Sequence, residues 1–203
     1  MESLKTSEDT EKSARLHKSC CEAVTNNDDD RHWYVAVTKP RYEMMCRDQV
    51  DHMQLDAYVA SQEEVHVYKN RSRRTIHHIV IPKILFVRAN EKERLEVLKK
   101  CPAVLRFMTN PAAKRNEYGG KLFAVIPDSQ MQQLRYALYQ TDTPALFTDV
   151  PLRLGDRIRV ARGSLVGLEG RVMRDGNSTY IVVSIDQLGS VMVSISPTDI
   201  ERI

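Results

Sequence analysis

The chain has 203 residues, which is enough for one medium domain and one small domain. Its hydrophobic content of 42% and charged content of 28% are ordinary for a globular protein, and the lack of a run of about eighteen apolar residues excludes a membrane-spanning helix. The net charge of +3 is uneven, because residues 33–142 carry a surplus of six positive charges, residues 1–32 a net charge of −3, and residues 143–203 none. Such a surplus suits a polyanionic partner, although surfaces without one often carry as much.

The first 31 residues are polar, charge-rich and free of aromatic side chains. This composition cannot offset the entropy of ordering the chain, so we expect a disordered extension over residues 1–31, a solvated leader rather than a regulatory segment. The extension also lacks the apolar core of a secretory signal. The four cysteines show neither CxxC nor Cys/His metal spacing, which predicts free thiols, no metal site and a cytoplasmic location: Cys20, Cys21, Cys46 and Cys101.

Aromatic and β-branched residues predict a first strand over Trp33–Lys39. A helix from about residue 42 to 54 follows, and then extended chain over 56–67. The next strand, over 76–89, is divided by Pro82, which we expect at a bulge or sheet edge because proline removes a ladder donor.

Asn90 and Glu93 have the spacing of a capping box for a helix over 91–100, whose buried side we expect from Leu95 and Leu98. A strand over 103–108 and a helix over 129–140 complete the block. The core face of that last helix is predicted from apolar residues at helical spacing: Met131, Leu134, Ala137 and Leu138. This order of elements predicts an α+β domain with an antiparallel sheet over residues 32–142, followed by a linker over 143–151.

The remaining residues, 152–203, read as five short strands. A strand ending near Val160 leads into a loop with Gly163, Gly167 and Gly170, and Glu169 is placed to accept bonds from backbone N–H groups. Residues 174–177 are typical of a hairpin turn. Five short strands in about fifty residues predict a small SH3-like barrel; an isolated β-arc in another small barrel is the alternative.

This glycine-punctuated loop resembles the KOW motif at the C-terminal end of NusG-type transcription elongation factors. Where that family has Gly-Pro-Phe, this chain has Gly163-Ser164-Leu165. The N-terminal block resembles the NGN domain of the same family through residues 33–35, 81–87 and 101–107. The family's Pro-Gly-Tyr and Pro-Gly-Val are replaced by Pro82-Lys83-Ile84 and Pro102-Ala103-Val104.

The resemblance implies that the first domain docks on the clamp helices of RNA polymerase through an exposed apolar patch at Tyr34, Ile84, Phe86 and Phe107. Ile84 and Phe86 lie two apart on one strand and share a sheet face. The residues alone favour an ordinary core position for all four, and the resemblance reverses this most strongly for Ile84 and Phe86. On that reading, Phe86→Asp abolishes docking and leaves the fold intact.

The resemblance also implies contact with the non-template DNA strand. The matching positions lie around the first helix: Lys39, Arg41, Gln49 and His52. A second basic candidate is the predicted hairpin tip over 69–74, for which a solvated turn is at least as strong a reading: Arg71, Arg73 and Arg74. The adjacent pair His77 and His78 faces opposite ways in a strand, so we expect no shared metal site there.

In this family the barrel recruits either the termination factor Rho or a small-subunit ribosomal protein. The implied contact is the loop formed by Gly163, Ser164, Leu165, Val166, Gly167 and Leu168. No cofactor is implied, and we expect a monomer.

The acidic leader and the two glycine replacements favour a specialised paralogue similar to the UpxY-type antiterminators of Bacteroides-like bacteria, which act on capsular polysaccharide operons. A general NusG factor is the first alternative, and a ribosome-associated RNA-binding protein with a KOW barrel is the second. An enzyme is disfavoured, because the sequence has no Gly-Lys-Ser/Thr phosphate loop, no nucleophile elbow and no helically spaced carboxylate pair in an apolar setting.

Overall fold

The computed structural model describes residues 30–67, 73–113, 122–141, 143–150, 152, 155–176 and 178–203, without the side chains of residues 64–67 and 73–75. The described helices are α1 (Glu43–His52), α2 (Glu91–Lys100) and α3 (Asp128–Gln140), with a short 3₁₀ turn at Pro197–Asp199. The strands are β1 (His32–Thr38), β2 (Asp56–Tyr58), β3 (Ser61–Val67), β4 (Arg73–Ile79), β5 (Ile84–Ala89), β6 (Val104–Phe107), β7 (Val125–Ile126), β8 (Leu146–Thr148), β9 (Arg157–Val160), β10 (Glu169–Asp175), β11 (Ser178–Ile185), β12 (Gly189–Ser194) and β13 (Ile200–Arg202). The extension expected over residues 1–31 lies outside the described residues except for Asp30 and Arg31. Residues 69–72 of the hairpin tip predicted over 69–74 also lie outside them.

The first sheet has the strand order β2-β5-β1-β6, and β7 also pairs with β1. All of these pairings are antiparallel, which confirms the predicted mixture of helices with an antiparallel sheet. Val35 lies opposite Phe86, and Tyr34 lies opposite Val87. Residues directly opposite each other share a face and successive residues alternate, so this register distributes the apolar side chains of both strands over two buried faces.

Helices cover both faces of the first sheet. Cys46 and Val50 of α1 and Val97 of α2 pack on the face that carries Tyr34. Helix α3 packs on the opposite face, which carries Phe86. Its buried residues are the predicted ones, so that prediction is confirmed: Met131, Leu134, Ala137 and Leu138.

Helix α2 begins with the predicted capping box. Asn90 Oδ1 accepts a hydrogen bond from the Glu93 N–H at 3.0 Å, and Glu93 Oε2 accepts one from the Asn90 N–H at 2.8 Å. These bonds satisfy two backbone donors that a helix start otherwise leaves without partners. The start of this helix is therefore fixed by its local sequence.

The predicted buried side of α2 is wrong. Leu95 is 45% exposed and Leu98 is only partly buried, whereas Arg94 and Val97 are fully buried. The leucines have helical spacing, but so does the row through Arg94, Val97 and Cys101, and this row faces the sheet. Arg94 can take part because aromatic rings from distant segments receive its guanidinium group, as described below.

The second sheet has the order β13-β9-β10-β11-β12-β8, and all its pairings are antiparallel. The five expected strands are present, and the hairpin between β10 and β11 turns where it was predicted, with Asn177 outside the described residues. Within the described residues β8 and β13 are the ends of this path, so closure into an SH3-like barrel remains a prediction. The domain bounds also remain predictions.

Part of the segment 143–151, the expected linker, forms a strand. Its residues Leu146–Thr148 form β8 and pair with β12, with Phe147 opposite Val191, which is fully buried. A single core cluster extends from Phe86 past α3 to Val191, and residues His32–Ile203 form one compact unit.

Candidate functional site

The four residues expected to form one docking patch lie on opposite faces of the first sheet. Tyr34 and Phe107 contact each other edge to face, with ring centroids 6.1 Å apart, on the side of α1 and α2. Ile84 and Phe86 lie on the side of α3. The structure therefore brings them together as two pairs and does not form a single surface from all four.

None of the four side chains is exposed. The exposed fractions are 7% for Tyr34, 9% for Ile84, 0% for Phe86 and 4% for Phe107. The expectation of an exposed patch made of these residues is wrong, because helices cover both faces of the sheet. Polymerase binding itself stays a prediction.

Arg94 covers the pair formed by Tyr34 and Phe107. Its guanidinium carbon lies 3.6 Å from the ring centroid of Phe123, 5.4 Å from that of Phe107 and 5.8 Å from that of Tyr34. The outer edge of the guanidinium group forms an ion pair with Glu91, including a bond from Arg94 Nε at 3.2 Å. This arrangement compensates a buried charge with ring faces and a carboxylate, so it reads as a structural device rather than a contact site.

The residues predicted to contact DNA do not all lie at the same end of α1. Lys39 and Arg41 are exposed in the turn before α1, and His52 is exposed at its C-terminal end. Gln49 is half-buried, and its side-chain oxygen is buried without a hydrogen-bond partner within the described ranges. Asp48, beside Gln49, lowers the positive character of this surface.

The structure describes less of the second basic candidate, the arginine cluster at Arg71, Arg73 and Arg74. Arg73 and Arg74 belong to β4, but their side chains are not described, and Arg71 lies outside the described residues. His77 and His78 are both exposed on β4. Within the residues that the structure describes, no cluster of three or more histidine, cysteine, aspartate or glutamate side chains is arranged to hold a metal ion.

Glu43 is a residue whose role the sequence did not reveal. It is only 2% exposed, and its Oε1 accepts a hydrogen bond from the Lys83 N–H at 2.7 Å. The Lys83 carbonyl in turn accepts a bond from the Thr38 N–H at 2.9 Å. These bonds tie the turn before β5 to β1 and to the start of α1. The possible signal was only an acidic residue in the first turn of a helix.

Lys83 adopts φ +64°, a conformation that costs a non-glycine residue about 1–2 kcal/mol. We expect Lys83→Gly to stabilise the fold by about 0.5–1 kcal/mol, after subtraction of the extra unfolded-state entropy of glycine. Lys83→Ala keeps the strained backbone and serves as the matched control. In urea unfolding, the Lys83→Gly variant should be the most stable, and the Lys83→Ala variant should be as stable as the wild type. Equal stability of the glycine and alanine variants would show that the backbone at Lys83 is not strained.

The predicted partner loop of the second sheet is anchored to the core by two buried leucines, Leu165 and Leu168. Gly163 and Gly167 have φ of +86° and +87°, and Leu165 and Leu168 are 6% and 2% exposed. Val166, at 48% exposed, lies between them. The loop therefore presents Ser164 and Val166, while both leucines anchor it to the core.

This loop also contacts helix α3. The Tyr136 hydroxyl donates a hydrogen bond to the Val166 carbonyl at 2.7 Å. The turn after β11 contacts the same helix, because the Asp186 N–H donates a hydrogen bond to Gln130 Oε1 at 3.0 Å. A partner that uses the Val166 carbonyl must first break the bond to Tyr136. The sequence offered no signal for this contact, since the two segments are separated by a stretch expected to be a linker.

Glu169 was expected to accept hydrogen bonds from backbone N–H groups of the loop, but its carboxylate has a side-chain partner instead. Its carboxylate pairs with the Arg159 side chain on the neighbouring strand, with a bond from Arg159 Nε at 3.0 Å. The residues lie directly opposite in the β9–β10 ladder, where oppositely charged pairs are favourable. The pair is a cross-strand contact on a partly exposed face.

The two described cysteines are not activated thiols. Burial, with the nearby Cys101 and Glu43 as smaller contributions, raises the pKa of Cys46 to about 11. Burial also raises the pKa of Cys101. Both thiols are fully buried and therefore neutral near pH 7, whereas a cysteine nucleophile needs its thiolate form.

A family model described as NusG, transcription termination factor, matches residues 31–135, which is just over half of the chain. The chain belongs to the NusG family. No match is found among curated proteins.

Solved structures of NusG and Spt5 are similar to this NusG-family chain. The chain is 15% identical to Thermotoga maritima NusG in a structure concerned with domain interaction, covering 87% of this chain and 99% of that one with a TM-score of 0.45. It is 13% and 12% identical to chains in conformations A and B of the MjSpt4:Spt5 complex, covering 84% of this chain and 97% and 96% of those, each with a TM-score of 0.28.

The family match runs from the residue before β1 to Arg135 in α3 and so includes all four expected docking residues. The six-stranded sheet and its glycine loop lie beyond the matched residues. Within the part of this NusG-family chain that the structure describes, no helix is long and apolar enough to cross a membrane.

Proposed function

We propose that this NusG-family chain is a transcription elongation and antitermination factor that binds RNA polymerase and sustains transcription of specific long operons. Membership of the family, carried by the match over residues 31–135, is the observation that supports it most directly. Surface-polysaccharide operons are the expected targets, on the basis of the resemblance to UpxY-type antiterminators. That finer assignment rests on the acidic leader and on Lys83 and Ala103 in positions where the family has glycine.

Docking on the polymerase clamp helices is proposed from the family resemblance, which points most strongly to the side of the first sheet that carries β5 and is covered by α3. Ile84 and Phe86 share this side, and Ile84, at 9% exposed, is the least buried of the four expected residues. Tyr34 and Phe107 lie on the opposite side under Arg94, so their contribution is to hold β1 and β6 in place. Both side chains are buried against α3, so the described structure does not itself present them to a partner helix.

The proposed action needs no chemical step. A factor that binds one conformation of polymerase more tightly than another shifts the population toward it, here away from paused and termination-prone states. Lys39, Arg41 and His52 supply exposed donors for contacts with the non-template strand, and contacts of this kind to phosphates position a protein without reading sequence. Gln49 contributes less, because its oxygen is buried.

The second sheet is proposed to be an SH3-like KOW barrel that recruits a further partner through residues 163–168. In this loop the side chains of Ser164 and Val166 are exposed and can contact a partner, whereas Leu165 and Leu168 are buried. Rho and a small-subunit ribosomal protein are the two partners that the family resemblance implies.

Binding to RNA polymerase is the first test. The full chain, titrated against purified core polymerase, should form a stable complex, and a polymerase lacking the tip of the clamp helices should bind much more weakly. Equal binding to both forms of polymerase would contradict docking on the clamp helices. Lack of binding to either would contradict the proposed function.

Transcript profiling of a strain without this protein tests the finer assignment. Loss of promoter-distal transcripts from one or a few long operons is expected of a dedicated antiterminator. Genome-wide changes in read-through would indicate a general NusG factor that works with Rho or the ribosome. Tight binding of generic RNA by the purified chain, with no effect on transcription, would favour a ribosome-associated protein.

A further inference from the structure

A cleft of about 860 Å³ lies where β2, the β3–β4 hairpin, α1 and the end of α3 meet. Its walls include Arg47, His77, His78, Arg135 and Tyr139. None of them belongs to the docking residues, the residues predicted to contact DNA around α1, or the loop at residues 163–168. The volume is within the range of cavities that hold small ligands, roughly 300–1,000 Å³.

Arg135 is the cation with the most defined position in this cleft. Its guanidinium carbon lies 4.6 Å from the ring centroid of Trp33 and 4.8 Å from that of Tyr58. Stacking on two rings fixes the plane of the guanidinium group and leaves its N–H edge free to donate. Within the described ranges no carboxylate forms an ion pair with Arg135, although the residue is exposed. A fixed arginine with unused donors is suited to an oxyanion, above all a phosphate.

Tyr139 supplies an aromatic face beside this cation. It follows Arg135 by one helical turn, so both side chains emerge on the same side of α3. Its side chain is 85% exposed, the largest exposure among the large hydrophobic residues that the structure describes. A ring with this exposure contributes little to the stability of the fold, and its face is available to a planar ligand.

Two other charged side chains among the described residues line the cleft, Arg47 and Glu63. Arg47 is neutralised by Asp48, with a bond of 2.7 Å from its Nη2. Glu63 is the carboxylate among the described lining residues and lies 3.9 Å from His77 Nδ1. His78, Thr141 and Thr143 add polar groups to the wall. Arg135 is therefore the arginine of this cleft without a carboxylate partner among the described residues.

We propose that this cleft binds a nucleobase together with its phosphate, presented by single-stranded nucleic acid or by a free nucleotide. Arg135 holds the phosphate and Tyr139 stacks on the base. Cationic grooves with exposed aromatic rings bind single strands in this way, because every base has a face that can stack. A duplex is disfavoured, since its bases are stacked on each other and cannot reach Tyr139. The proposal goes beyond the proposed function and does not depend on polymerase.

Fluorescence anisotropy with the full chain tests the site directly. The probes are labelled single-stranded DNA and RNA of about eight nucleotides, and the same DNA as a duplex. Single strands should bind more tightly than the duplex. Tyr139→Ala should weaken single-strand binding at least about fivefold, the low end of the effect of removing one stacking ring. Because the ring is exposed, this variant should unfold at the wild-type temperature.

Arg135→Gln should weaken binding and reduce the slope of log K against log salt by about 1, as expected for one lost phosphate contact. Arg106→Gln, an exposed arginine on β6, is the matched control and should leave the affinity unchanged. Arg41→Gln separates the cleft from the surface near α1. Loss of binding in Arg41→Gln, with wild-type affinity in Tyr139→Ala and Arg135→Gln, would overturn the proposal.

Competition by adenosine monophosphate distinguishes the two sources of the ligand. Affinity that rises with oligonucleotide length, with weak competition by the mononucleotide, supports a single strand. Full competition with no dependence on length supports a free nucleotide. Binding of an acidic peptide that displaces the oligonucleotides and is unaffected by Tyr139→Ala would refute the site. Since no polymerase is present, such a failure leaves the proposed function untouched.

Discussion

Phe86→Asp is expected to unfold the protein rather than to produce a folded chain that no longer docks. The Phe86 side chain is 0% exposed and lies in the cluster that joins the first sheet to α3, with its ring 6.3 Å from that of Tyr58. Loss of a buried phenylalanine costs about 3–5 kcal/mol, and a carboxylate in its place adds the penalty of burying or protonating an unpaired charge. The total approaches or exceeds the usual stability of a domain, about 5–15 kcal/mol.

Circular dichroism and thermal unfolding measure this directly. Leu105→Asp is the matched control, because Leu105 lies on β6 of the same sheet but is 55% exposed. We expect that variant to fold and to change stability by about 1 kcal/mol or less. A folded Phe86→Asp with the thermal midpoint of the wild type would place Phe86 outside the core and restore its expected role in an exposed patch.

The expected docking residues show which features the sequence predicts and which it does not. Alternation along β5 predicted that Ile84 and Phe86 share a face, and the structure agrees. The face of Tyr34 relative to them depends on register, because Tyr34 pairs with Val87 and not with Phe86. A shift of one residue would have placed Tyr34 on the same face as Phe86, and no local pattern in either strand determines the shift.

For α2, local signals predicted where the helix begins but not which face it buries. The capping box of α2 depends on Asn90 and Glu93 alone, so it is visible in the sequence. The buried position of Arg94 depends on Phe107 and Phe123, which come from other segments, and helical spacing favoured Leu95 instead. A buried arginine is rare without such partners, and a sequence does not show them.

The cleft and the contact between Tyr136 and the loop also depend on residues that are distant in the chain, so the sequence did not predict them. Arg135 is stacked on Trp33 and Tyr58, which lie far from it in the chain, and the Tyr136 hydroxyl bonds to a carbonyl 30 residues further on. Sequence reasoning assigned α3 a core face correctly but gave no role to its outer residues. Their roles emerge only when the segments that surround α3 are located.

Gly189→Ala is expected to detach β8 or to destabilise the whole second sheet. Gly189 begins β12 with φ +146°, and a Cβ at this position would clash with the Thr148 carbonyl oxygen and lie 2.9 Å from Asp149 Cα. Both obstacles are backbone atoms, which cannot move aside as a flexible side chain can. Backbone strain of about 1–3 kcal/mol adds to the lost pairing of β8. We expect a total loss of at least about 3 kcal/mol in urea unfolding.

Gly176→Ala separates the two causes of that loss. Gly176 has φ +55° in the turn after β10, and a Cβ there would meet no atom within 4 Å, so its cost is that of the backbone conformation, about 1–2 kcal/mol. If Gly189→Ala costs no more than this control, β8 leaves the sheet freely, and the segment 143–151 behaves as the linker that its prolines predicted. A clearly larger cost, with faster hydrogen exchange at Leu146–Thr148, establishes that the pairing of β8 with β12 holds this segment to the second sheet.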